Sequence, residues 1–235
     1  MPVDYGRQTV DTPNPLARFA HRRRIEVAIT AASRLAPPSG VVLDFGSGPG
    51  LLLHELGLRR RDLRLIGFEP YMEQTFSDVP LVTQLSDVPD RSIDVLTCLE
   101  TCEHLEDDSL AELIAETRRL LRPAGTLLIS VPIVIGPSLL PKQVNRMLLH
   151  HRALEYTPRE LALAVFAGQP GPRAAHRASS HKGFDFRALD RYFATEMVAA
   201  GRWLSPFAKL PWWLNSQAFS TWRVSDHAGQ GPWNE

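Results

Sequence analysis

Ten residues, Val41-Val42-Leu43-Asp44-Phe45-Gly46-Ser47-Gly48-Pro49-Gly50, constrain this chain more than any others. A mostly apolar run leads straight into a turn with glycine at every second position, and a helical pattern follows over 51–58. A short apolar run bounded by turn residues reads as a strand buried on both faces, the kind a parallel sheet needs. Glycines tolerate positive φ and let a ligand approach the backbone. Open amides at the start of the next helix favour an anionic or electron-rich group. The next apolar run, 63–68, reads as a second strand. It ends at Glu69, where a carboxylate can grip ribose hydroxyls.

The rest of the chain repeats this alternation. A helix is expected over 16–35, with Asn14 as N-cap and Pro15 at its first position. A short helix at 71–76 leads to a weak strand at Leu81-Val82. A strand follows at 92–99, then a helix capped by Asp108 or Ser109, and Gly125 closes that region before a strand at 126–131. Such alternation predicts a doubly wound α/β sheet. After Pro132 the pattern breaks. Residues 136–180 hold helical segments near 139–151 and 158–167 and then a Gly/Pro/Ala/Ser-rich loop, and strands are expected at 194–203 and 218–224. The whole chain, 1–235, is expected to be one domain, with 136–180 as a helical insertion acting as a cap or substrate-specificity segment.

Two nucleotide cofactors use a glycine turn followed by a strand-end acid. The dinucleotide fingerprint G-x-G-x-x-G would need glycine where this chain has Leu51, so a dehydrogenase is disfavoured. The spacing here, D-x-G-x-G-x-G, resembles the first motif of class I S-adenosylmethionine methyltransferases. Glu100-Thr101-Cys102-Glu103-His104-Leu105, after the strand at 92–99, resembles the fourth-strand region of the bacterial type 11 group. Arg118-Arg119-Leu120-Leu121-Arg122-Pro123-Ala124-Gly125-Thr126-Leu127 resembles its helix–turn–fifth-strand motif. The resemblance spans 41–131. It implies a Rossmann-like sheet of seven strands in the order 3-2-1-4-5-7-6, strand 7 antiparallel, with S-adenosyl-L-methionine as cofactor. It further implies that Asp44, Gly46, Ser47, Gly48 and Gly50 shape the pocket for the methionine part and that Glu69 holds the ribose. Phe68 and Tyr71 would sit near the adenine, with Leu99 and Glu100 at the methionyl end. Many relatives carry an acid after the third strand to face the adenine amino group. Here that stretch is Val82-Thr83-Gln84-Leu85-Ser86, so either the Gln84 amide oxygen or Asp87 is left for that role.

Methyl transfer from a sulfonium needs donor and acceptor in line, and an oxygen or nitrogen acceptor also needs a proton removed. Histidine suits that task. His104, after the fourth strand, and His181, at the return from the insertion, are the candidates; a loop-organising role for His104 stays open. His150 and His151 are adjacent on a helix and diverge. Together with His176 and His181 they show no ligand spacing, and no metal is expected. Cys98 reads as a buried strand residue and Cys102 as a packing residue; neither spacing nor number suggests disulfides.

The chain carries 26 basic and 26 acidic side chains, a balance that provides no general pull toward nucleic acid. The basic runs 21–24 and 59–61 read as solvated helix faces or helix ends. The first residues lack the apolar core of a signal peptide, so a cytoplasmic setting is expected. Leu140, Val144, Met147, Leu148, His151 and Leu154 form an apolar helical stripe, read either as packing or as a lid. The aromatic stretch 203–214 reads as packing, an acceptor pocket or a membrane contact. The expected activity is methylation of a small molecule, O-methylation favoured. Alternatives are methylation of a lipid- or glycan-linked intermediate at a membrane surface, and a non-catalytic cofactor-binding scaffold. Oligomeric state is not legible.

Overall fold

The computed structural model describes residues 15–71, 76, 78–150, 154–177 and 180–225. Its elements are α1 (Pro15–Leu35), β1 (Val41–Phe45), α2 (Leu51–Arg59), β2 (Arg64–Phe68), β3 (Leu81–Val82), β4 (Ile93–Leu99), α3 (Asp107–Leu120), β5 (Leu121–Pro132), α4 (Leu139–His150), α5 (Pro158–Phe166), α6 (Phe186–Glu196), β6 (Met197–Ser205) and β7 (Gln217–Val224). The strands form one sheet in the order β3-β2-β1-β4-β5-β7-β6. β7 runs antiparallel to both its neighbours, and the other pairs are parallel. The expected seven-stranded Rossmann-like sheet is therefore the fold.

Alternation along the strands assigns side chains to two cores. Val42 and Val95 face α1 and α2, where Ile29, Leu53 and Leu56 are buried. Leu43 and Leu96 face the opposite layer with Leu113 and Leu120 of α3 and Phe193 of α6. Both faces of the sheet are thus covered, which explains why β1 reads as a continuous apolar run.

Several boundaries differ from expectation. The N-cap of the helix before β5 is Glu106, one residue ahead of Asp107 and two ahead of Asp108, and it makes no side-chain capping bond. The two aspartates instead occupy the first turn and Arg118 and Arg119 the last, complementing the helix dipole at both ends. This helix ends at Leu120 rather than near Gly125, because Leu121 turns extended and Pro123 disfavours a helical Arg122. The largest departure is α6, which occupies 186–196 where a loop and the start of a strand were expected. Asp185 caps it through the Arg187 amide, and Phe186, Leu189 and Phe193 form its buried face. The strand begins only at Met197. The Asn14 cap and most of the 71–76 helix lie outside the described residues. Among the described residues, no helix is long and apolar enough to cross a membrane.

The segment 136–180 divides into anchored and exposed parts. α5 opens with a capping box in which Thr157 and Glu160 exchange bonds, and it buries Ala164 and Val165. The start of α4 is tied down by Lys142, whose ammonium donates to the carbonyls of Ile133 and Ser216. The outward stripe of α4 remains uncovered: Leu140, Val144 and Met147 are 41%, 51% and 47% exposed. Packing therefore does not account for these three. In the aromatic stretch, Trp203 stacks on Phe219 and Trp212 lies against Phe186 and Gly136, whereas Phe207, Leu210, Trp213 and Leu214 stay exposed.

Candidate active site

A cavity of about 660 Å³ opens at the carboxyl ends of β1, β2 and β4. In open α/β sheets this edge, where the strand order reverses between β1 and β4, is where ligands settle. One wall is the glycine turn. Gly46, Gly48 and Gly50 all have positive φ, and Gly50 is the left-handed N-cap of α2. Gly46 also lacks room: a Cβ there would stand 2.7 Å from Thr101 Oγ1. Ser47 hangs on this turn, and its Oγ is buried without a hydrogen-bond partner among the described residues.

Glu69 faces the turn and is 8% exposed. Its Oε2 accepts from the Gly48 amide at 2.9 Å and its Oε1 from the Tyr71 amide at 2.9 Å. The carboxylate is thus held at the rim by backbone donors rather than waving in solvent. Asp44 sits deeper, at the end of β1. Thr97 Oγ1 donates to its Oδ1 at 2.6 Å. Burial pushes the Asp44 carboxyl up to about 7; the Thr97 bond opposes this, and the Glu69 charge adds to it.

The other end of the cavity is built by the loop after β4. Glu100 has φ 53°, the left-handed region. Its carboxylate accepts from Arg24 at 2.9 Å, Ser130 Oγ at 2.9 Å and Gln217 Nε2 at 3.1 Å. His104 lines the same end. Its Nδ1 lies 2.9 Å from the Arg177 carbonyl, which can only accept, so Nδ1 carries a proton and, in the neutral ring, Nε2 is the acceptor. His181 Nε2 lies 3.2 Å from that nitrogen and donates to it. Beneath the pair, Glu103 is completely buried, and neither carboxylate oxygen has a hydrogen-bond partner among the described residues. Burial first, then the nearby Glu100 charge, pushes the Glu103 carboxyl well above the usual carboxylate range.

Of the residues singled out from the sequence, Asp44, Gly46, Ser47, Gly48, Glu69, Tyr71, Leu99, Glu100 and His104 line this cavity, as does Phe68. Gly50 shapes the turn from behind. Tyr71 offers mainly its backbone, since the residue is 92% exposed. Gln84 does not reach the cavity: it precedes a short 3-10 turn at Leu85–Asp87 and faces a separate shallow depression with Ser86 and Arg119. The turn presents Leu85 to the cavity instead, and Asp87 is exposed. His181 does not line the cavity itself; it meets His104 there, with Glu103 3.9 Å away.

Sequence reasoning missed His21 and Arg24. They belong to a basic run read as solvated, yet both line the cavity. The signal was present, since 21, 24, 25 and 28 share one helical face with Ile25 and Ala28. Burial holds the His21 imidazole down at about 4, helped by the Arg24 charge. The second basic run does end a helix: Arg60 donates to the carbonyls of Ser33 and Pro37, at the end of α1.

A family model described as a methyltransferase domain matches residues 18–167. The chain belongs to this methyltransferase family. Its cofactor is S-adenosylmethionine, and it is a methyltransferase enzyme. The glycine turn, the buried Glu69 and the unsatisfied Ser47 hydroxyl fit such a ligand. No curated protein matches the sequence. Among solved structures, the PH0226 protein from Pyrococcus horikoshii OT3 superposes with TM-score 0.59 at 15% identity, over 88% of this chain and 92% of that one. The 1,6-didemethyltoxoflavin-N1-methyltransferase of Burkholderia thailandensis, with bound 1,6-didemethyltoxoflavin and S-adenosylhomocysteine, gives 0.54 at 19%, over 86% and 79%. The geranyl diphosphate C-methyltransferase of Streptomyces coelicolor A3(2) gives 0.52 at 12%, over 95% and 86%. At these identities the likeness is one of fold.

Proposed function

We propose that this methyltransferase transfers a methyl group to a hydroxyl oxygen of a small molecule that enters the cavity from the His104 end. The observation that carries the reading is His104 itself, which lines the cavity with its Nδ1 proton fixed on the Arg177 carbonyl and its Nε2 as the acceptor in the pair with His181. In this reading Asp44, Gly46, Ser47, Gly48 and Gly50 hold the methionine part of the cofactor, with Leu99 and Glu100 closing over it. Glu69 turns from its backbone donors to the ribose, and Tyr71 borders the adenine. When bound, the cofactor supplies an activated sulfonium methyl. His104 takes the proton of the acceptor hydroxyl as the new oxygen–carbon bond forms. His181 orients that imidazole. Residues 136–180 act as the specificity segment because the loop beyond α5 supplies Arg177 and leads to His181. Two buried free thiols, Cys98 and Cys102 with sulfurs 3.5 Å apart, suit a reducing cytoplasm.

The test is incubation with methyl-labelled S-adenosylmethionine and small-molecule extracts of the source cell, with mass-spectrometric identification of the product. A labelled methyl ether supports the reading; a methyl ester would point to a carboxylate acceptor that needs no base, and label on nitrogen or carbon refutes the oxygen assignment. No label in any product, despite measured cofactor binding, would favour a scaffold. The exposed apolar stripe of α4 and the exposed rings at 207–214 favour a second reading, an acceptor carried on a lipid at a membrane surface. Label partitioning with the lipid extract would select it.

A further inference from the structure

We propose that Glu103, His104 and His181 bind a divalent transition-metal cation at the acceptor end of the cavity. Three ligand atoms converge there. His104 Nε2 and His181 Nε2 are 3.2 Å apart, and Glu103 Oε1 lies 4.0 Å from the first and 3.9 Å from the second. In a triangle with sides 3.2, 4.0 and 3.9 Å, the point equidistant from the corners lies about 2.2 Å from each. Zinc bonds to imidazole nitrogen and carboxylate oxygen at about 2.0–2.2 Å. The spacing of the three atoms therefore matches an ion at their centre, with a small closing movement if it sits above their plane.

The second observation is chemical. Glu103 is completely buried, and neither oxygen finds a donor among the described residues. A carboxyl group left unsatisfied in the interior costs free energy that a cation would recover. Other carboxylates nearby are already engaged: Glu100 is held by Arg24, Ser130 and Gln217, and Glu106 and Asp107 pair with Arg177. Arg173 stands close but gives its guanidinium to the Glu103 main-chain carbonyl, not to the side chain.

The third observation concerns preparation of the ligand. A metal-binding imidazole usually donates its second nitrogen to a carbonyl or carboxylate, which fixes ring and tautomer. His104 does this through Nδ1 and the Arg177 carbonyl at 2.9 Å. Two imidazoles and one carboxylate suit zinc, iron, cobalt or manganese. Three protein ligands leave a position open for water or substrate, the pattern of a catalytic rather than a structural site. Linear spacing could not reveal it, since His181 is 77 residues from His104.

The role of the ion, though not its binding, rests on the oxygen acceptor proposed above. An acceptor hydroxyl bound in the open position is acidified by the cation and releases its proton to water. Its oxygen then displaces the sulfonium sulfur, which keeps the electron pair of the broken carbon–sulfur bond. In the loaded enzyme the ion thus takes over the task given above to the His104 imidazole.

The experiment uses the full chain, stripped with chelator and titrated with Zn²⁺ alone or with Co²⁺ as a spectroscopic probe. Wild type is expected to bind one ion per chain, with Co²⁺ giving strong visible ligand-field bands. Glu103→Gln and His181→Ala should each weaken binding by about tenfold or more, and circular dichroism checks their folding. Absence of stoichiometric binding, or equal affinity in a folded Glu103→Gln protein, overturns the site. Methyl transfer is measured separately. A loaded protein that methylates nothing counts against the proposed function and leaves the site standing. Equal turnover by stripped and loaded enzyme overturns the role of the ion.

Discussion

Asp44→Asn should make the cofactor-free protein more stable, by an amount that grows as pH rises from about 4 to about 7. Asp44 is 4% exposed, and its carboxyl is pushed up to about 7 from an ordinary 3.8, first by burial. The gap is about 3 units, and each unit is worth about 1.36 kcal/mol, so the effect approaches about 4 kcal/mol. The sign follows from proton binding. Between about pH 4 and 7 the unfolded chain has released this proton and the folded protein still holds it. Stability therefore falls as pH rises through that window and levels off above it. Asparagine imitates the neutral carboxyl, and its amide oxygen still accepts from Thr97. Urea unfolding of both proteins near pH 4 and pH 8 should show the mutant gaining up to about 4 kcal/mol over wild type between the two conditions. An unpartnered amide NH₂ would lower both ends equally, and other titrating groups cancel in the difference. A mutant-minus-wild-type difference that is flat with pH refutes the argument.

Three further outcomes follow from the site. Glu69→Ala should weaken S-adenosylmethionine binding by about 1–3 kcal/mol, the scale of a lost charged hydrogen-bonding group; calorimetric titration showing wild-type affinity in a folded mutant would remove Glu69 from the ribose. Gly46→Ala combines a φ of 74° with a 2.7 Å approach to Thr101 Oγ1. It should lower stability by about 1–3 kcal/mol and impair cofactor binding, and unchanged melting would show that the turn has slack. His104→Ala should reduce kcat by about 10²–10⁴-fold while cofactor affinity stays near wild type; single-turnover rates equal to wild type would leave catalysis to alignment alone.

What the sequence disclosed and what it hid divide along sequence separation. The turn at 46–50 and Glu69 lie within one strand–helix–strand unit, and their chemistry is written in adjacent residues. The strand order was legible only because the motifs resemble a known family. Arg24 meets Glu100 across 76 residues and His181 meets His104 across 77, and no local pattern announces such a meeting. Gln84 lines a neighbouring depression rather than the cavity, and the 3-10 turn that follows it, whose Leu85 lines both, is not written in the sequence. α6 was overlooked although Phe186, Leu189 and Phe193 repeat at helical spacing, because its N-cap Asp185 follows directly on a glycine-rich loop.

Glu100 joins α1 through Arg24, β5 through Ser130 and β7 through Gln217. It follows that the two ends of the cavity come into being at different moments during folding. The pairing of the glycine turn with Glu69 needs only β1, α2 and β2, contacts of short range that close quickly. The Glu100 end must wait for the last strand, 117 residues further on, to enter between β5 and β6. A chain emerging during synthesis would therefore carry the glycine turn and its Glu69 partner well before the Glu100 end of the cavity is closed.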